Sequence, residues 1–367
     1  MLIETQEALA KFAARAARQP VLALDTEFVW TRTFYPGLGI VQLGWSKEDA
    51  GLIDIPAIED LSALASLVTD AGIVKILHDA LQDLQIIYLK TGALPKNIFD
   101  TRLASGFCGL TSTLGLNALL TELLDIELDK SATRTDWLQR PLTEKQETYA
   151  LEDVRYLNHV RELLLQRVDA AGNTAFLEED LQRLDDPAMY RERDPYEQYT
   201  RLKGTGAMDA EQLSAVRELA AWRELLAREK NLPRGFIVDD KLLVEVAKRL
   251  PRSERQLKEL EAEHQKVIRR YGAQFIDTVV QALDDPYFTH LEKKSRMSIE
   301  ARKRLDGKAK RLVTRLAEQC SERQIDPALV GNRSELRDLL VKRESGRAEE
   351  SPLMREGWRK GILETVL

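Results

Sequence analysis

Two acidic residues stand at the end of a short apolar segment near the N-terminus. Asp25 and Glu27 follow the apolar residues Val21–Leu24, which are typical of a strand buried in the middle of a sheet. Side chains alternate along a strand, so the two carboxylates are expected to project from the same face. Adjacent anions repel each other, and oxygen ligands suit a hard cation such as Mg²⁺ or Mn²⁺. The pattern indicates either a divalent metal site or a strand end that emerges into water.

Two later segments carry further candidate residues on predicted helices. Asp83 lies one turn into a helix predicted near residues 79–90, where Asp79 is expected to cap the first turn and Asp83 has no structural role. Tyr149 and Asp153 stand at i, i+4 in a helix predicted from about 143 to 168, which places a phenol and a carboxylate side by side. A solvated side chain or a local hydrogen bond explains each of these signals when it is taken alone.

The elements that must position these residues form an α/β pattern. A leading helix is predicted over residues 4–18, and strands are predicted near 21–25, 40–45 and 51–55. The short connections between these strands favour antiparallel neighbours. Helices near 57–69 and 79–90 then alternate with strands near 73–77 and 98–99. This order predicts a mixed sheet with helices on its faces.

Length and composition bound the class of protein. A chain of 367 residues with 44% hydrophobic and 31% charged residues is typical of a folded protein with two or three domains. We find no apolar run as long as a membrane span and no basic N-terminal signal, so a cytoplasmic protein without membrane association is expected. Cys108 and Cys320 have neither partner nor CxxC spacing, which predicts ordinary thiols.

Charge is distributed unevenly along the chain. Residues 1–200 hold 19 Lys/Arg against 32 Asp/Glu, a net charge of −13, whereas residues 201–367 hold 35 against 28, a net charge of +7. An acidic half followed by a basic half suggests a part that recruits cations and a part that meets a polyanion. Solvated helix faces explain the same asymmetry.

The order of the acidic motifs resembles a known superfamily. A DxE pair on a central strand, an Asp on a helix about 60 residues later and a YxxxD helix about 70 residues after that resemble the DEDD 3′-to-5′ exonucleases. Residue Thr148 stands where the other branch of that superfamily has histidine, so the chain resembles the tyrosine branch. The resemblance implies a ribonuclease H-like mixed sheet.

Longer segments are similar to bacterial ribonuclease D across nearly the whole chain. They are Leu24–Val29, Thr31–Pro36, Phe99–Thr101, Thr135–Trp137, Arg140–Thr143 and Tyr149–Leu157. The resemblance implies that Asp25, Glu27, Asp83 and Asp153 bind metal and that Tyr149 is the family's tyrosine. It further implies a metal-dependent 3′-to-5′ exoribonuclease that trims the 3′ trailers of tRNA precursors and other structured RNAs, with RNA as its partner and no partner protein.

Hydrolysis of a phosphodiester assigns a role to each of these five residues. The reaction needs a nucleophilic water and a stabilised leaving oxygen, and two Mg²⁺ or Mn²⁺ ions supply both. Asp25 is expected to bridge the ions, with Glu27 and Asp153 on the nucleophile side. Asp83 is expected to hold the second ion, and Tyr149 to orient the attacking water.

The chain changes character after the exonuclease-like part, which we place at residues 1–184. Residues 185–207 are rich in turn formers and predict a linker. Residues 208–289 resemble the HRDC domain, a small helical bundle associated with nucleic-acid binding. Residues 290–367 more weakly resemble a second HRDC-like bundle, so the predicted fold is an α/β domain followed by two all-α bundles. A chain ending near Lys203 is expected to fold by itself.

A basic run begins the last of these segments. Ten Lys/Arg lie between Lys293 and Arg315 against Glu300 and Asp306, which predicts contact with phosphates that carries little sequence information. The candidate nucleic-acid-binding residues are Lys303, Arg304, Lys308 and Arg311. The alternative is a solvated helix held by salt bridges.

Two other functions compete with the exoribonuclease. A DNA exonuclease would use the same site, because no residue in the sequence identifies a 2′-hydroxyl reader. A catalytically silent RNA-binding scaffold is the other alternative, although the intact set of four acids with Tyr149 argues against it.

Overall fold

The computed structural model describes residues 1–129, 135–260, 264–288, 298–355 and 357–367. Within these ranges the chain packs into two compact units. Unit 1 contains Met1–Val29, Leu38–Tyr190 and the chain from residue 298 onward, and unit 2 contains Trp30–Gly37 and residues 191–288. Of the basic run, Lys293, Lys294 and Arg296 lie outside the described residues.

Unit 1 is built on a six-stranded mixed sheet in the order β1-β4-β3-β2-β5-β6. The strands are β1 Leu2–Ile3, β2 Val21–Val29, β3 Gly37–Gly44, β4 Ala50–Asp54, β5 Val74–Leu77 and β6 Ile98–Asp100. Strands β3 and β4 pair antiparallel, as their short connection predicts. Strand β5 runs parallel to both β2 and β6. The sequence analysis missed β1, a two-residue strand that pairs parallel with β4.

The first part of unit 1 carries eight α-helices among the described residues. They are α1 Gln6–Ala16, α2 Ser62–Thr69, α3 Ala80–Thr91, α4 Thr101–Ser105, α5 Leu116–Leu124, α6 Glu144–Arg155, α7 Leu157–Ala170 and α8 Thr174–Gln182. The sheet separates two apolar cores. Leu22 and Leu24 of β2 pack with α1, α2 and α3 on one face, while Ala23 packs with α7 on the other.

Two local predictions are wrong. The single helix predicted from 143 to 168 is broken at Tyr156 (φ −105°, ψ −8°), and α6 and α7 meet there. Asp79 stands before α3 but makes no capping hydrogen bond, because it adopts a left-handed conformation (φ 64°). The Asp100 carboxylate instead accepts from the backbone N–H groups of Asp79 and Ala80 at 3.1 and 2.9 Å.

The C-terminal part of unit 1 is helical and shares the core of the sheet. Its helices are α14 Ile299–Glu322, α15 Pro327–Val330, α16 Arg333–Glu344 and α17 Trp358–Val366. Their buried side chains, among them Leu305 and Leu316, belong to the same apolar cluster as Phe107 and Leu157. The sequence predicted a separate bundle here, because helical periodicity identifies an apolar face but not the surface that covers it.

Unit 2 is a helical bundle with its own core. Its helices are α9 Ala210–Glu229, α10 Arg234–Ile237, α11 Asp240–Arg249, α12 Glu254–Lys258 and α13 Gln265–Asp284. Phe275 and Val279 of α13 pack with Val216 and Leu219 of α9. The predicted linker contains short 3₁₀ helices rather than regular α-helix, including Pro195–Arg201 and Thr205–Ala207.

Unit 2 also includes the segment Trp30–Gly37, which directly follows β2 in the chain. The backbone N–H groups of Phe34 and Tyr35 both donate to the Asn231 side-chain oxygen, at 3.1 and 2.9 Å. The Tyr35 hydroxyl donates to Glu192 at 2.7 Å. The predicted fold class, a mixed α/β sheet followed by helical regions, is confirmed. Among the described residues no helix has the length and apolar character needed to cross a membrane.

Candidate active site

Side chains alternate along β2, so its polar residues lie on both faces of the sheet. Asp25 and Glu27 have the same parity as Ala23 and point toward the face covered by α7. Thr26 has the opposite parity, like Leu22 and Leu24, and points toward α3. The strand therefore offers carboxylates to one helix layer and a hydroxyl to the other.

Three of the predicted metal ligands form one cluster. A carboxylate oxygen from each of Asp25, Glu27 and Asp153 lies within 4.8 Å of the other two. Asp153 is buried in the last turns of α6. A capping box fixes the start of that helix: Gln146 N–H donates to the Thr143 hydroxyl at 3.3 Å, and Thr143 N–H donates to the Gln146 side chain at 3.0 Å.

Asp83 lies next to this cluster but outside the group of three. It stands in the first turn of α3, and the hydroxyl of Thr26 donates a hydrogen bond to its carboxylate. Its negative charge raises the pKa of both Asp25 and Glu27. The fourth predicted ligand therefore reaches the site from the other face of the sheet.

Tyr149 lies one turn before Asp153 on α6. Its hydroxyl hydrogen-bonds to the Asp153 carboxylate, which lowers the pKa of that acid against the larger effect of burial. The Tyr149 ring lies beside Trp137, with 6.1 Å between ring centroids and 38° between planes. The i, i+4 spacing thus brings phenol and carboxylate together as the sequence predicts.

The pKa values of the four acids are raised because the carboxyl groups are buried and lie close together. Burial raises the pKa of Asp25 well above its ordinary value, and the neighbouring carboxylates raise it further. Burial, followed by the charges of Asp153 and Asp83, raises the pKa of Glu27 to about 9. The pKa of Asp153 is raised to about 7 and that of Asp83 to about 6, chiefly by burial. A cation at this site would restore the charged form of all four.

The predicted nucleic-acid-binding residues are all on α14, on the surface of unit 1. Lys308 and Arg304 both lie near Glu344 of α16, at 2.5 and 3.7 Å. Lys308 and Arg311 also line a cavity of about 450 Å³ together with two further cations, Arg315 and Arg343, and the acid Glu344. Lys303 is exposed. The run therefore combines surface salt bridges with a cationic cavity, and both interpretations made from the sequence stay open.

The sequence analysis missed the residues that support the site. Thr26 had a signal, since its position between Asp25 and Glu27 places it on the opposite face of β2. Trp137 and Arg140 were noted only as parts of family-like segments. His78, beside the site, has hydrogen-bond partners at both ring nitrogens, the Thr101 hydroxyl and the Leu114 carbonyl.

Comparisons with known proteins agree with this geometry. A family model described as 3′-5′ exonuclease matches residues 1–169, and a model of the HRDC domain matches residues 212–279. The chain is 41% identical to ribonuclease D of Desulfotalea psychrophila over 366 residues, covering 99% of this chain and 96% of that protein. It is 30% identical to ribonuclease D of a Shewanella species over 363 residues, covering 98% and 91%.

A solved structure is similar over the full length. RNase D of Escherichia coli, described as an exoribonuclease involved in structured RNA processing, superposes with a TM-score of 0.86 at 29% identity, covering 100% of this chain and 98% of that one. The mixed sheet and the carboxylate cluster are typical of a 3′-5′ exonuclease, and the match to the HRDC model adds an accessory helical domain. The chain belongs to the ribonuclease D family and is a 3′-5′ exoribonuclease.

Proposed function

We propose that this exoribonuclease trims the 3′ trailers of tRNA precursors and other structured RNAs by hydrolysis that depends on two Mg²⁺ or Mn²⁺ ions. The observation that carries the proposal is the group of three carboxylates within 4.8 Å, with Asp83 beside it. Support for the substrate comes from the similarity to RNase D of Escherichia coli, whose description names structured RNA processing.

The donor set fits hard divalent cations. All four candidate ligands are carboxylates, and their raised pKa values reflect mutual repulsion and burial that a cation relieves. Asp25, Glu27 and Asp153 would hold one ion, and Asp25 with Asp83 the other. Bound there, divalent ions supply a nucleophilic water at neutral pH and a counter-charge for the leaving 3′-oxygen.

The chain's own residues then orient the reaction. Asp25 and Glu27 are held in place by the extended backbone of β2, and Asp153 by the capped helix α6. The Tyr149 hydroxyl, which donates to Asp153, lies at the edge of the cluster, and its oxygen is positioned to accept a hydrogen bond from the attacking water. A phenol in this role orients the water and need not remove its proton.

Substitution of the ligands tests the metal site. Asp25→Asn and Asp153→Asn should each abolish release of nucleoside 5′-monophosphates from a 3′-extended tRNA precursor in Mg²⁺ while the protein stays folded. Asp169→Asn, an exposed position on α7, is the matched control and should retain full activity. Near-normal turnover in either ligand variant would remove that residue from the metal site.

Substrate choice is tested with matched nucleic acids. The wild-type protein should shorten a tRNA precursor with a 3′ trailer and stop near the folded acceptor stem, and it should act more slowly on a DNA strand of the same sequence. Equal rates on RNA and DNA would favour a general exonuclease. A mature tRNA degraded as fast as the precursor would contradict the trimming role.

We further propose that the described part of the basic helix contacts RNA phosphates, as the cationic cavity beside Lys308 and Arg311 supports. Charge reversal at Lys303, Arg304, Lys308 and Arg311 should weaken tRNA binding and reduce its salt dependence, because each lost phosphate contact removes roughly 0.7 to 0.9 from the slope of log affinity on log salt. Reversal of four exposed cations elsewhere in unit 1, Lys11, Arg18, Lys47 and Lys90, is the control. Equal slopes for the two variants would identify α14 as a solvated face.

A further inference from the structure

A buried tryptophan supports the ring of the active-site tyrosine. Trp137 is 1% exposed and lies beside Tyr149, with 6.1 Å between ring centroids. Both residues belong to a small apolar cluster, separate from the main cores, whose buried members are Ile40, Leu52, Trp137, Leu142 and Ala150. The cluster lies between strands β3 and β4 and helix α6, so Tyr149 projects from a helix whose inner face is packed against it.

Trp137 is held through its backbone and by packing rather than through its indole nitrogen. Among the described residues the buried Nε1 of Trp137 has no hydrogen-bond partner. Its carbonyl oxygen accepts from Nη1 of Arg140 at 2.9 Å. That oxygen also lies so close to Gly39 of β3 that a Cβ added there would overlap it. The tryptophan is therefore fixed against the sheet by its main chain.

Arg140 is itself anchored by a buried carboxylate. Its Nε and Nη2 donate to the two oxygens of Asp54 at 2.6 and 2.8 Å, and Nη2 also donates to the Gly39 carbonyl at 3.2 Å. Asp54, at the end of β4, is 2% exposed. A forked ion pair of this kind has one strongly preferred geometry. Burial of such a pair adds little net stability, because desolvation of the two charges offsets their attraction.

We propose that Trp137, held by Arg140 and Asp54, is a positioning residue that fixes the Tyr149 phenol over Asp153. This inference rests on the proposed role of Tyr149 in orienting the attacking water. The phenol ring turns about two side-chain bonds, and the packed indole removes that freedom on one side. The arginine fork ties the Trp137 main chain to β3 and β4 of the same sheet that carries Asp25 and Glu27 on β2.

A double-mutant cycle with Tyr149→Phe tests this positioning role. In the otherwise wild-type protein, Trp137→Leu should lower kcat by about tenfold to 10²-fold with little change in KM, since a displacement of ~1 Å costs up to about 10²-fold. In the Tyr149→Phe background the same substitution should change kcat less than about twofold, because the hydroxyl to be positioned is gone. Trp137→Phe should retain most of the activity, since it keeps an aromatic ring and loses no indole hydrogen bond.

Arg140→Lys provides a second measurement should Trp137→Leu fail to fold. Lysine keeps the charge opposite Asp54 but cannot bond both Asp54 and the Trp137 carbonyl as the guanidinium fork does. It should lower kcat in the wild-type background and not in Tyr149→Phe. An equal factor in both backgrounds would show a purely structural role and overturn the inference. Wild-type turnover by Tyr149→Phe alone would instead overturn the role of Tyr149 together with the inference.

Discussion

Two helical regions of this chain look alike in sequence and differ in where their apolar residues are buried. The HRDC-matched bundle buries Phe275 and Val279 against its own helix α9. The C-terminal helices bury Leu305 and Leu316 in the core that also contains Phe107 of the exonuclease part. The first region is a domain with its own apolar core, whereas the second completes the core of the exonuclease part.

Polar contacts also join the C-terminal helices to the exonuclease part. Arg359 of α17 donates to both oxygens of Asp180 on α8, at 2.5 and 2.6 Å, and the Trp358 indole donates to the same carboxylate at 3.0 Å. Asp326 accepts from Ser112 through both the backbone N–H and the hydroxyl, at 2.6 and 2.8 Å. A helical segment whose sequence predicts a separate bundle can therefore be an integral part of a neighbouring fold.

Removing the C-terminal helices should have the largest effect. A chain ending near residue 288 is expected to lose the folded exonuclease part, because Phe107, Leu157 and their neighbours would be left without cover. A chain ending near Lys203, which the sequence predicts to fold by itself, would lose the same cover and is therefore not expected to fold. Circular dichroism and thermal melting would check this, with retention of the HRDC bundle transition as the internal control. A truncated protein with full activity and a native melting curve would contradict it.

The two units should respond to pH in opposite directions when metal is removed. In unit 1 the raised pKa values of Asp153 and Glu27 mean that the folded state binds more protons than the unfolded one. Metal-free unit 1 should therefore lose stability as the pH rises from 3.8, the ordinary value for Asp153, toward about 9, the raised value for Glu27. The two raised pKa values together correspond to an effect on the order of 10 kcal/mol.

In unit 2 the pKa of Glu224 is lowered, since its bonds to Arg234 and Arg228 outweigh its burial. That contribution is present at neutral pH and is lost as the pH falls through the lowered value. Denaturant titrations in EDTA across this pH range would measure both trends. Glu27→Gln should flatten the trend of unit 1 alone, and an unchanged slope in that variant would exclude Glu27 as its source.

Breaking one buried ion pair in unit 1 should cost less than the full pH trend. Arg359→Ala leaves Asp180, which is 3% exposed, without its forked partner, at a cost of roughly 3–5 kcal/mol. Urea denaturation of the exonuclease part would report this loss. The paired change Arg359→Met with Asp180→Leu should recover much of it, because no buried charge remains. No recovery would mean that packing and not charge dominates at this contact.

The matched change in the HRDC bundle should have the smallest effect. Glu224 is as deeply buried as Asp180 but is bonded by both Arg228 and Arg234. Arg234→Ala leaves Arg228 in place, and the Arg234 side chain is 40% exposed. We therefore expect a loss of about 1 kcal/mol, confined to unit 2. Cleavage of a short single-stranded RNA should not change. A loss as large as that of Arg359→Ala would remove the contrast between the two regions.

Short-range periodicity was enough to predict much of this protein. The alternation of β2 places Asp25 and Glu27 on one face, and the i, i+4 spacing on α6 joins Tyr149 to Asp153, since both patterns depend only on the local backbone. The order of strands and helices likewise predicted the mixed sheet. These features can be predicted without knowing which surfaces pack together.

Only the tertiary structure shows which residues support the carboxylates and the tyrosine. The bond from Thr26 to Asp83 depends on α3 lying against one face of β2, and the fork from Arg140 to Asp54 joins residues 86 positions apart. The break at Tyr156 and the shared core of α14 to α17 also depend on the partner surface rather than on the helix itself. A sequence specifies the faces of its elements locally, but the pairing of those faces is a property of the packed whole.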